Sequence, residues 1–113
     1  MDRDIPDMVT EVNQITNKLM ELPSGVSEHV LEDLSALHVN SVTFTEIKQE
    51  IKAINDNVYK TMDMYKSNDF SKDQAKLELD EIYIKHYIAL TQLSGLVKEM
   101  QAKIESLKTF LPN

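Results

Sequence analysis

His29 is followed three and four residues on by Glu32 and Asp33, which on a helix would gather one imidazole and two carboxylates on one face. Such a trio could hold a divalent cation weakly. In a chain with 19 acidic residues it also arises readily by chance. Neither His-x-x-x-His nor Glu-x-x-His spacing occurs, so the di-iron helical pattern is missing. Asp80 and Glu81 are adjacent, and neighbouring helical residues point ~100° apart, so they do not form a facing acid pair. Without cysteine there is no disulfide framework, thiolate nucleophile or thiolate metal site. Gly25 and Gly95 are the only glycines, which rules out a glycine-rich phosphate loop. The expectation is a non-enzymatic protein with no catalytic residues, no metal and no cofactor.

His86 is the histidine with the most interesting position, because it falls on an apolar stripe. The ordinary reading is a core or boundary imidazole bonded to a carbonyl or a tyrosine. The functional reading is a pH-sensitive core residue that loosens the helices on protonation. Six methionines could adapt to varied partners. Most of them fit helix seams, with Met62 and Met64 grouped near Tyr59 and Tyr65.

The elements that carry these residues read as helices. The longest patterned stretch runs from Ser71 to Leu111, with Ala75, Leu79, Ile82, His86, Leu90, Leu93, Val97, Met100, Ile104, Leu107 and Leu111 at steps of three or four. Ser71 and Gln74 make a capping-box pattern, with Phe70 placed to staple onto Ala75. Steps of four and four around His86 drift towards an 11-residue repeat. Gly95 is the weak point of this stretch. A continuous or mildly kinked helix is favoured there, against a cap at Gly95 and a separate helix from Leu96 to Phe110.

Upstream, Ile5-Pro6-Asp7 opens a helix over 6–22 whose seam is Ile5, Met8, Val12, Ile15, Leu19 and Leu22. Pro23-Ser24-Gly25 ends it. A second helix over 27–38 starts at the cap Ser27 and carries Val30, Leu31, Leu34 and Leu37. The β-branched and Asn/Ser residues of 39–45 predict a loop or a kink. Thr43 and Glu46 offer a capping box for a third helix over 43–66, with Phe44, Ile47, Ile51, Ile54, Val58 and Tyr65 as its stripe. A short polar break at 67–70 makes it an antiparallel neighbour of the helix over 72–110. The fold class is therefore all-α: a single domain over 1–113, built as a three- or four-helix antiparallel bundle with coiled-coil-like seams and a long C-terminal helix.

The chain carries a net charge of −7, and the surplus is uneven. Residues 1–47 hold nine acids against Arg3 and Lys18, whereas residues 48–113 hold ten of each sign. Such a surface repels phosphate backbones, so nucleic-acid binding is disfavoured. No apolar run approaches the ~18 residues of a membrane span, so no membrane insertion is expected. The acidic start Met1-Asp2-Arg3-Asp4 is unlike a signal peptide, which points to an intracellular, cytoplasmic protein.

One feature of the last helix points outward. Leu77, Ile84 and Ile88 fall near the side opposite the main stripe, with Tyr83 and Tyr87 on the flank. A helix apolar on two sides is usually covered on two sides. The cover would be the chain's own helices or a protein partner, either a second copy or another helical subunit. The interface residues expected on this basis are Leu77, Ile84, Tyr87, Ile88, Leu96, Met100 and Leu107. The leading expectation is a protein–protein interaction module, an assembly or adaptor subunit of a larger complex or homo-oligomer. The alternative is a small acidic inhibitor, immunity protein or secretion chaperone that binds one target through the N-terminal half.

Overall fold

The structure, a computed structural model, describes residues 7–23 and 25–111. It has three helices, α1 (Met8–Met20), α2 (Glu28–Lys66) and α3 (Lys72–Lys108), and no strand among the described residues. The expected opening at Ile5 and Pro6 lies outside the described residues.

Asp7 caps α1 instead. Its carboxylate accepts from the Thr10 amide at 3.1 Å and from the Thr10 hydroxyl at 2.7 Å, satisfying a first-turn donor. Beyond α1, the Gly25 amide donates to the Leu22 carbonyl at 3.0 Å, and Gly25 sits at φ 75. That is the left-handed region where a Cβ is costly.

Helix α2 differs from expectation. The helix runs unbroken through 39–45, so the two expected helices are one of 39 residues, slightly longer than the 37-residue α3. Ser27 is its cap, accepting from the Val30 amide at 3.3 Å. The residues that lower helix propensity are accommodated individually. Ser41, Thr43 and Thr45 turn their hydroxyls back onto the carbonyls of Leu37, Val39 and Ser41, at 2.9, 3.4 and 3.0 Å. Val39 and Val42 stand in solvent, while Ser41 and Phe44 are buried. Packing of Phe44 outweighs propensities worth tenths of a kcal/mol per residue. Thr43 is inside the helix and caps nothing. The Asn40 side-chain Nδ2 is buried without a hydrogen-bond partner.

The stop at Lys66 is a Schellman arrangement. Asn68 takes the left-handed conformation at φ 63. The amides of Asp69 and Asn68 donate to the carbonyls of Met64 and Tyr65 at 2.9 and 3.1 Å. Ser71 then caps α3, accepting from the Gln74 amide at 3.1 Å. Helix α3 passes through Gly95 without interruption.

By contact density the chain divides into two compact units, Met1–Thr45 with Ser94–Asn113, and Glu46–Leu93. The first holds α1, the start of α2 and the end of α3. Among the described residues, Met8, Val12, Leu19, Leu37, Phe44, Met100 and Leu107 are the fully sealed large side chains, and all lie in this unit. A polar contact also ties α1 to α2. The Thr16 hydroxyl donates to the Val12 carbonyl at 2.7 Å, which leaves its oxygen to accept from His38 Nε2 at 3.1 Å.

The second unit is a hairpin of 46–66 and 72–93. It buries Ile47, Ile51, Ile54, Thr61, Ala75, Ala89 and Leu93. Ala89 is buried and Leu90 is exposed, the reverse of the expected seam. Ile82, His86, Ala89 and Leu93 therefore step by four, three and four, and the drift expected around His86 is absent. The doubled spacing comes later. Both Leu96 and Val97 are half-buried between Leu93 and Met100. In α2 a three-and-three step occurs at Ser41, Phe44 and Ile47. Both phase changes fall beside the points where the units divide.

Candidate interaction surface on helix α3

Within the Glu46–Leu93 unit, α3 turns Ala75, Ala89 and Leu93 inward. At ~100° per residue, Leu77, Ile84 and Ile88 lie about half a turn from that line. They are 67%, 56% and 51% exposed, with Tyr83 and Tyr87 at 70% and 64% beside them. Five large apolar or aromatic side chains within twelve residues make a contiguous patch rather than scattered exposure. Lys76, Asp80, Glu81 and Lys85, all exposed, intersperse it.

The structure divides the expected interface set. Leu77, Ile84, Tyr87 and Ile88 are on this surface, and Leu96 is half-buried. Met100 and Leu107 have no exposed area, because they belong to the sealed core of the other unit, and they present nothing to a partner in this conformation. Their stripe spacing was legible, but which stripe the chain itself covers depends on where α1 packs. Leu90 is also exposed, although a leucine at seam spacing reads as core. On α2 the exposed Tyr59, Met62 and Tyr65 add to the apolar surface of this unit.

The groups with chemical potential do not converge. His29 Nε2 lies 3.6 Å from Asp33 Oδ2 with the imidazole in solvent. Among the described residues no three His, Cys, Asp or Glu side chains are placed to hold a metal ion. His86 is half-buried, at the boundary rather than in the core. A cavity of about 390 Å³ beside the hairpin turn is lined by Lys60, Lys85, Glu78 and Glu81 along with Met64 and Ile82. Its mixed charges and shallow apolar floor lack the mostly hydrophobic lining typical of a small-molecule site. Among the described residues no helix is long and apolar enough to cross a membrane.

No known protein family is matched by the chain, and neither a curated protein nor a solved structure matches it.

Proposed function

We propose that this chain is a non-enzymatic helical interaction module, an assembly or adaptor subunit whose helices pack as an antiparallel bundle with coiled-coil-like seams. It docks onto protein through the outer face of α3. The observation that carries this reading is the row Leu77, Ile84 and Ile88, half or more exposed on the side of α3 away from its buried stripe. Leaving such a row in water forfeits roughly 25 cal/mol per Å² of apolar surface, which a partner helix would recover. A helix face of this kind suits helix-on-helix recognition, read through anchors seven and four residues apart.

The test is affinity capture from the source cell with the wild-type chain and with Ile84→Asp, quantified protein by protein. Specific companions lost from the Ile84→Asp sample support docking through this face. An identical set in both samples removes it. Companions lost from both on raising salt alone favour the acidic-inhibitor alternative, in which the exposed Glu11, Glu21, Glu28 and Glu32 meet a basic target.

A further inference from the structure

We propose that the outer face of α3 pairs with a second copy of itself, two chains meeting antiparallel through residues 77–88. This rests on the interaction reading above and narrows it to one occupant. Leu77, Glu81, Ile84, Ile88 and Thr91 follow one another at steps of four, three, four and three, the spacing of a two-helix seam. Reversed about a two-fold axis between residues 82 and 83, the line maps onto itself. Leu77 meets Ile88 of the copy, Ile84 meets Glu81, and each contact occurs twice, as a two-fold interface requires.

The charges select the direction. Glu78, half-buried where it lines the cavity against α2, and the exposed Lys85, seven residues apart, flank one edge of the seam, and Asp80 and Tyr87, also seven apart, stand on the other. In an antiparallel pair like edges face each other, so Glu78 meets Lys85 of the copy twice and Asp80 meets the Tyr87 hydroxyl. In a parallel pair opposite edges meet. Lys85 would then gain Asp80, but Glu78 would be set against Asp73. Only the antiparallel arrangement keeps like charges apart along both edges.

The area sets the strength. Leu77, Ile84, Tyr87 and Ile88 expose roughly 500 Å² together, short of the ~800 Å² per partner of a standard stable interface. Glu81, the one charged member of the seam, weakens it further. The pair therefore belongs to the weak, reversible class, half-formed on the order of 100 µM, where small interfaces fall.

Sedimentation equilibrium across a concentration series tests this on the full chain. Wild type should move from monomer to dimer, and Ile84→Asp should stay monomeric with unchanged helical circular dichroism. Glu78→Lys and Lys85→Glu should each weaken association roughly fivefold to tenfold, and the double variant carrying both should recover it. Because the chain lacks cysteine, Leu77→Cys mixed with Ile88→Cys gives a second readout. The mixed disulfide should form faster than either homodimer disulfide. A wild-type monomer at 1 mM, a dimer indifferent to Ile84→Asp, or a double charge variant no better than the singles would each overturn the antiparallel self-pair. A chain that stays monomeric yet loses a different protein through Ile84→Asp would overturn self-pairing while leaving the interaction reading intact.

Discussion

Residues up to Thr45 together with those from Ser94 fully seal a set of large apolar side chains and leave Met20, Leu31, Val39, Val42 and Phe110 exposed, whereas residues Glu46–Leu93 leave more of theirs in water. Both units draw on α2 and α3, and the difference is α1. Its 13 residues bring Met8, Val12, Ile15 and Leu19 to the first unit alone. A helix pair can cover one face of each member and no more, so flanking apolar residues stay exposed until a third helix arrives. In the first unit the chain supplies that helix. In the second it supplies none, and Tyr59, Tyr83, Ile84, Tyr87 and Ile88 remain open.

The sharpest way to break this comparison is to excavate both cores. Phe44→Ala should cost about 3–5 kcal/mol in urea denaturation, the usual result for a sealed aromatic. Ile54→Ala should cost closer to 2 kcal/mol, because a stripe open at its flanks can relax into the space. Equal losses would mean the two units are equally sealed. Next in size, Gly25→Ala should cost about 1–2 kcal/mol, since only the left-handed backbone resists a Cβ there and nothing lies within 4 Å of it. An unchanged melting curve would show that the turn after α1 is not what holds it in place.

Asn40→Leu should raise stability by about 1 kcal/mol by removing a buried donor that has no partner. A loss would indicate that the amide is satisfied in solution. The smallest expected effect is at the open face. Ile88→Lys should change the stability of the monomer by less than about 0.5 kcal/mol. A loss of 2 kcal/mol or more would place Ile88 inside the chain's own packing and close the comparison.

Much of this architecture was legible from residue spacing. Ser27 and Ser71 are caps where an oxygen-bearing side chain precedes an apolar repeat, and the half-turn offset puts Leu77, Ile84 and Ile88 on a second face, though spacing alone does not say whether the chain's own helices cover it. The continuity of α2 was not legible, because its stripe passes through Ser41, a polar residue whose hydroxyl is satisfied only once the helix exists. Leu90 is the larger apolar residue at stripe spacing, although the seven-residue phase places the smaller Ala89 inward. The division of labour between the units was hidden for another reason. The α1 seam would fit a groove anywhere along α2 and α3, and periodicity does not say which length of groove a short helix will fill.

The second unit is a single uninterrupted stretch, Glu46–Leu93, spliced into a first unit made of two separated stretches. Its arms can therefore be shortened in step. Removing seven residues from each arm, 55–61 and 77–83, takes two turns from either side and keeps the remaining stripes aligned. The hairpin would shorten by the same two turns on each arm, while every sealed side chain of the first unit stayed in the sequence.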